Sequence, residues 1–433
     1  MMWHFLPALT RRWRWGAGLL CLSAAGSVLA QTAPDLLPSS PQVMQVLQQL
    51  PAVQMAKAGL PLAQARSQRL QAGPHEWSAQ ITLNRRNDLE SQQRFTEPEI
   101  SLETPVRWPG KAAADRQLGA TEISLGALAY ADAWHEAARS LLNDWFDTLR
   151  DLRSANLLEA QSQLVSKQLG NTERRVQAGE AAQLELQAAR AEQARIQAQS
   201  MRARLQADTR VQTFQRLYPG LALPTDSLPT APAARQTTAD TPEPSLAAAV
   251  EQILADNHEL ELAQAKAQQA QQQAQRASLE QQADPTVGVR AARERGGQER
   301  VWGVYLSIPL GRAGRQADYQ AALAQADIAQ HELHRTRQRV EAAAWQVASA
   351  VAQTKKVNVQ LQQALEQMQR SAALQARAYE LGESELNDVL LAQRSALEAL
   401  LAADAAALEA TQAQARWQLD THQLWSLPHP ATH

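Results

Sequence analysis

Few residues in this 433-residue chain are equipped for chemistry. Its nine histidines and one cysteine, Cys21, are the only imidazole and thiol groups it offers. Cys21 lies inside an apolar run and follows Leu20, where lipid attachment at a cysteine would need a small residue. His331 and His334 stand three apart and could share a helix face, but a metal site would need a third ligand, and none is in view. His422, His429 and His433 match no ligand spacing and are expected to belong to a disordered C-terminal tail. The sequence holds no nucleophile elbow, phosphate loop or metal motif, so we expect no enzyme and no cofactor. The polar groups with a pattern are Glu185 and Asp388, each the sixth residue past a glycine (Gly179, Gly382), and Tyr379 just before the second glycine. A phenol can donate a hydrogen bond to a carboxylate.

The elements that must position these groups are written twice. Thr104-Pro105 and Ile308-Pro309 each close an alternating apolar stretch, and Gly110-Lys111 and Gly314-Arg315 follow at the same offset of 204. Gly179-Glu180 and Gly382-Glu383 match at an offset of 203, and so do Leu186 with Val389 and Ala189 with Ala392. Register kept over such a length indicates duplicated halves. Residues 110–218 and 310–427 lack proline, and each run is divided by one of the Gly-Glu pairs. At 1.5 Å per residue, helices over 111–178 and 315–381 would reach roughly 100 Å. Shorter helices over 41–72 and 180–218, and over 246–283 and 383–427, would stack end to end beside them. The spacing of Leu141, Trp145, Leu149 and Leu152, and of Val340, Ala344, Val347 and Val351, marks apolar stripes that an ordinary antiparallel coiled coil would explain equally well.

Four short segments alternate with period two. Trp77, Ala79, Ile81 and Leu83 alternate with Ser78, Gln80, Thr82 and Asn84; Ile100, Leu102 and Val106 with Glu99, Ser101 and Glu103. Val287, Val289 and Ala291 alternate with Thr286, Gly288 and Arg290; Trp302, Val304, Leu306 and Ile308 with Gly303, Tyr305 and Ser307. Each has about the length of an outer-membrane strand, and the loops Arg85–Pro98 and Arg293–Arg300 make two hairpins of them. A soluble sheet with one buried face is the other reading. Four strands cannot close a barrel around a polar bore, so several chains would have to share one. Gln80, Thr82, Glu99, Glu103 and Arg290 would then line its lumen.

Composition sets the remaining bounds. Charged residues make up 20% and aromatics 5%, and Ala and Gln recur, which favours long helices. Arg11, Arg12 and Arg14 followed by the apolar run 17–29 and Val28-Leu29-Ala30 predict a secretory signal peptide over 1–30, with a retained anchor as the alternative. Without those three arginines the formal charge moves from −2 to −5, with no basic patch for nucleic acid. The predicted order is signal peptide (1–30), first repeat (31–218, strand pair 77–107), a Pro-rich equatorial linker (219–245), second repeat (246–427, strand pair 285–310) and tail (428–433).

This pattern resembles the TolC-type outer-membrane efflux proteins over nearly the whole mature chain. The best-matched stretches are Val176-Gln177-Ala178-Gly179 through Arg190, Tyr379-Glu380-Leu381-Gly382 through Gln393, and Ser307-Ile308-Pro309-Leu310 followed by Gly314-Arg315. The resemblance implies a mainly helical homotrimer with a shared twelve-stranded β-barrel in outer-membrane lipid and a long periplasmic α-barrel. It implies docking onto a periplasmic adaptor and an inner-membrane RND-type pump, as the exit duct of a tripartite efflux system. Gly179 and Gly382 would form the periplasmic tips where the adaptor engages. Tyr379 and Glu185 match a polar link that keeps the tip closed, and Asp388 an acid lining the constriction. The chain departs from that pattern at Leu391, where a second acid would stand, and at Ser384, where a basic link residue would. Pro109-Gly110-Lys111 is similar to the heavy-metal-efflux branch, which would make metal cations the cargo. A periplasmic adaptor, with one hairpin between Gly-rich halves, and a structural trimeric coiled coil at the cell surface are the competing readings.

Overall fold

The computed structural model describes residues 36–224 and 245–427. The expected signal peptide, most of the expected linker and the expected tail, with His429 and His433, lie outside the described residues.

Two helices dominate. α3 (Pro109–Gln177) has 69 residues and α7 (Ala313–Glu380) has 68, so each rises roughly 100 Å. Pro109 opens α3 at the first turn, where a missing N–H leaves no bond unmade. α2 (Pro51–Ala72) and α4 (Gln183–Leu217) pack against α3; α6 (His258–Glu280) and α8 (Leu386–Asp420) pack against α7. Contacts of α3 with α6 and α8 join the two sets.

The incoming segments depart from the sequence expectation of single helices over 41–72 and 246–283. The first is divided into α1 (Ser40–Gln49) and α2 because Leu50, preceding Pro51, is held extended at φ −63°, ψ 135°. Proline's ring excludes the helical region for the residue before it. The second is divided into α5 (Leu246–Ala255) and α6 at Asp256 (φ −127°), and Asn257 caps the new helix by accepting from Leu260 N–H at 3.0 Å. Pro61, by contrast, is carried inside α2.

The core follows the stripe on α3. Leu141, Trp145 and Leu149 are buried, while Leu152 is only partly so, as are Val347 and Val351 on α7. Trp145 meets Phe214 of α4 edge-on at 5.7 Å between centroids.

The strands form one antiparallel sheet in the order β1 (Ser78–Asn87), β2 (Arg94–Pro105), β3 (Thr286–Glu294), β4 (Glu299–Ser307). β1 and β2 run further than the alternation predicts, shrinking the loop to 88–93. Charge pairing across strands carries the extension: Arg86 lies 3.3 Å from Glu97 and 3.7 Å from Glu294. Asp88 then closes the turn, accepting from Glu90 N–H and from the Ser91 hydroxyl at 2.6 Å.

Where sheet meets helices, a polar collar ties residues far apart in sequence. Asp115 of α3 accepts from Arg107 at 3.0 Å and from Arg276 of α6 at 2.6 Å. Arg107 also donates to the Leu70 and Gln71 carbonyls at the end of α2. Lys111, 1% exposed, lies 2.9 Å from Asp284, which also meets His75 at 2.8 Å.

Candidate functional site

Each α-hairpin turns through the same backbone device. In the first, Gly179 N–H donates to Val176 C=O at 3.0 Å and Glu180 N–H to Arg175 C=O at 2.8 Å. In the second, Gly382 N–H donates to Tyr379 C=O and Glu383 N–H to Ala378 C=O, at 3.0 and 2.9 Å. This double bond pattern is the Schellman closure, whose first residue past the cap must be left-handed. Gly179 and Gly382 have φ of 78° and 80°, and a Cβ at either would meet nothing within 4 Å. The demand is therefore one of dihedral and not of space. Gly179→Ala is expected to cost about 1–2 kcal/mol through the left-handed penalty alone, read as a lowered unfolding midpoint with an unchanged helical spectrum.

These turns set three polar side chains face to face. Tyr379 in the last turn of α7 donates its phenol proton to Glu185 Oε2 at 2.5 Å, in the first turn of α4. Arg175 in the last turn of α3 donates to the same phenol oxygen at 2.7 Å. Burial and the Glu185 bond raise the Tyr379 phenol above its ordinary range, with Arg175 opposing them. The link thus joins the second hairpin to the first within one chain. Asp388 stands apart from it, exposed in the first turn of α8, where it accepts from Ser384 at 3.5 Å. Leu391 is 63% exposed.

Arg175 was not singled out from the sequence. It falls on the residue before the duplicate partner of Tyr379, so comparison of the halves gives no sign of it. Its only signal is a basic residue in the last turn before a C-cap glycine, which commonly just favours the helix dipole.

Further along the hairpins, Glu192 of α4 bridges to Arg394 of α8 at 2.5 Å and to Arg195 at 2.5 Å. Burial would raise this carboxyl, but the two arginines outweigh it and lower it. Leu158, Val165, Ile196 and Leu397 pack around the same seam. Between this seam and the tip lies a cleft of about 230 Å³, lined by Val165, Leu169, Arg175, Tyr379, Val389 and Leu390 among others.

At the sheet, register sorts the side chains. Ala79, Leu102, Val289 and Val304 share one rung, and Ile81, Ile100, Ala291 and Trp302 share the next rung of that face. Strand alternation puts Gln80, Thr82, Glu99, Glu103 and Arg290 together on the opposite face. Two glycines on this polar face are covered by long neighbours. A Cβ at Gly288 would overlap the Tyr305 ring, and one at Gly303 would sit 3.2 Å from Arg290. The gap at Gly288 lets Tyr305 reach across and donate to Glu103 at 2.6 Å. The apolar face is bare: Ile81, Trp302 and Val304 are each at least 80% exposed.

His331 and His334 are placed as a surface pair on α7, whereas His422 departs from its expected place. His331 and His334 are exposed, with Asp327 and Gln338 as neighbours. His422 belongs to no disordered tail; it packs against His135 and His258, which the sequence separates widely. Among the described residues no group of three or more His, Cys, Asp or Glu is arranged to hold a metal.

No protein-family model and no curated protein sequence matches the chain. Solved structures do. The CmeC outer membrane channel of Campylobacter jejuni superposes with a TM-score of 0.72 at 13% identity, covering 90% of this chain and 86% of that one. The outer-membrane channel OprN gives 0.72 at 18% identity, covering 89% and 91%. The open-state MtrE outer membrane channel of Neisseria gonorrhoeae gives 0.68 at 15% identity, covering 89% of both. The fold is that of the TolC-type outer-membrane channels. In this channel fold the bare apolar face and the two unpaired sheet edges fall on the same four strands. No described helix is long and apolar enough to cross a membrane.

Proposed function

We propose that three copies of this chain form a passive outer-membrane duct, the exit component of a tripartite efflux pump. One observation carries the reading. β1 and β4 each have a free edge, and the sheet between them is apolar and exposed on one face, polar on the other. Open edges are excluded from lipid, so each β4 must pair with the β1 of a neighbouring copy. The strands alternate in direction, which leaves β1 and β4 antiparallel and able to pair in this way. Three copies would close a twelve-stranded barrel, with Gln80, Thr82, Glu99, Glu103 and Arg290 facing a wet bore. A signal peptide over 1–30 would bring the chain to the outer membrane, and the duplicated halves would supply the quasi-equivalent hairpins of a periplasmic α-barrel. The neighbours of this fold are channels, which supports a non-enzymatic role.

The hairpin tips at Gly179 and Gly382 are the expected contact for a periplasmic adaptor, through which an inner-membrane RND-type pump delivers its cargo. The Tyr379–Glu185–Arg175 link would hold the tip in its closed arrangement. Three Asp388 carboxylates about one axis would favour cations and resist anions, which makes cations, heavy-metal ions among them, the cargo class that fits best. Lys111 needs no such role, since Glu280 and Asp284 account for its charge.

Fractionation tests the reading directly: an SDS-resistant trimer in outer membranes that conducts ions in a planar bilayer is the expected result. A soluble monomer that conducts nothing overturns it. Within a conducting trimer, Asp388→Asn is expected to weaken block by divalent cations about tenfold, the scale of a lost ion–carboxylate contact of about 1.4 kcal/mol. Unchanged block removes Asp388 from the conduction path.

A further inference from the structure

Three imidazoles from separate parts of the chain meet where α8 ends. His135 comes from the middle of α3, His258 opens α6, and His422 follows the last turn of α8. Ring centroids lie 4.7 Å apart for His258 and His422, 5.3 Å for His135 and His422, and 6.1 Å for His135 and His258. Each ring commits one nitrogen to a separate oxygen. His135 Nε2 meets Asp420 Oδ1 at 3.1 Å, His258 Nδ1 meets Glu261 Oε2 at 3.4 Å, and His422 Nε2 meets the Asp256 carbonyl at 2.7 Å. A carbonyl and ionised carboxylates only accept, so these nitrogens carry the protons and neutral rings leave their other nitrogens bare. The segment past α8 is held under backbone strain, with His422 at φ 58° and Trp425 at φ 49°. Trp134, next to His135, donates to the Trp425 carbonyl at 2.8 Å and pins that segment to α3.

We propose that this joint is a proton-sensitive clasp, which fastens the root of α8 to α3 and α6 while its imidazoles are neutral and releases it when they become charged. The direction comes from repulsion among three charged rings 4.7–6.1 Å apart, set against surrounding charges of both signs. α3 brings Asp132, Glu136 and Arg139; α6 brings Glu259 and Glu261; α8 brings Arg416 and Asp420; and Arg339 of α7 pairs with Glu259. Asp420 is already engaged by Arg139 and Arg416 at 3.0 and 2.9 Å, so it cannot neutralise three imidazolium ions. Burial would raise the Asp420 carboxyl, yet its partners bring it down to about 2, so it stays charged throughout the histidine range. Burial pushes His135 below its ordinary value despite the Asp420 bond. The released chain therefore takes up the proton more readily than the fastened one. By linkage the clasp is fully held above the ordinary histidine range, near pH 6.5, and weakens as pH falls below it.

Hydrogen–deuterium exchange on the full-length protein tests this, with labelling times scaled for intrinsic chemistry at about pH 7.5 and about pH 5.5, either side of the histidine range. Residues 255–262 and 417–427 are expected to exchange about tenfold faster at the lower pH after scaling, the effect of one unit of differential proton affinity. The tips around Gly179 and Gly382 serve as the internal control. A His135→Gln/His258→Gln/His422→Gln variant keeps hydrogen-bonding side chains but cannot charge, and it is expected to lose the extra acceleration. Wild-type exchange that follows intrinsic chemistry alone overturns the clasp. So does a triple variant that keeps the full pH response, or an acceleration shared equally by the tips.

Discussion

Asp115→Ala is expected to lower the stability of the chain by about 3–5 kcal/mol, the largest single-residue effect in the helical part. Its carboxylate is 6% exposed and receives two guanidinium groups, Arg107 at 3.0 Å and Arg276 at 2.6 Å. Removing it takes the carboxylate from Arg107 and leaves Arg276 only the half-exposed Glu280, while both guanidinium groups stay under 20% exposed. Breaking a buried pair costs far more than the pair contributes, because the remaining charge stays desolvated. Two arginines share the loss here, and Arg107 also closes the end of α2. The measurement is a denaturant titration of the detergent-solubilised protein. A shift in midpoint equivalent to less than about 1 kcal/mol, the range of exposed ion pairs, would show that the collar is solvated and does not organise the junction. Removing Arg276 separately is expected to do less, since Asp115 keeps Arg107.

Val304→Asp is the second, and it acts on assembly. Val304 is 83% exposed in the single chain and lies on the apolar face of edge strand β4, on one rung with Val289, Leu102 and Ala79. Charged substitutions on the lipid face of a barrel cost up to about 2–4 kcal/mol each, depending on depth and side chain. Three copies would carry the change around one ring. The expected outcome is loss of the SDS-resistant trimer and retention of helical content in the unassembled chain, read by semi-native electrophoresis and circular dichroism. Val304→Ile should leave the trimer intact. Should Val304→Asp assemble and conduct normally, that face does not meet lipid.

Much of this architecture could be read from residue spacing. Proline-free runs on either side of Gly179 and Gly382 gave the hairpins, because proline and left-handed glycine are the strongest local punctuation a helix has. Period-two alternation placed all five polar candidates, Gln80, Thr82, Glu99, Glu103 and Arg290, on one face, since register in a strand has only two outcomes. The divisions at Leu50 and Asp256 were less legible. Pro51 was a visible signal, but Pro61 ten residues on is absorbed into α2, so a proline alone does not decide. Arg175 and the His135–His258–His422 joint were illegible for a different reason. Their meaning depends on which elements become neighbours after folding, and no local pattern carries that. His422 illustrates it: four residues from Gln418 by sequence, it is defined by contacts to residues 135, 256 and 258.

The sheet itself cannot count. Its two edge strands run in opposite directions, so in the proposed assembly β4 of any copy would accept β1 of the next, and the rule would repeat without an end. A ladder of this kind would admit a ring of any size. In the proposed assembly the ring size would then be set lower down, by the angle at which the roughly 100 Å helices lean on their neighbours. The strands would then act as a zip and the helices as a protractor, and substitutions that change the size of the proposed ring should be sought along α3 and α7.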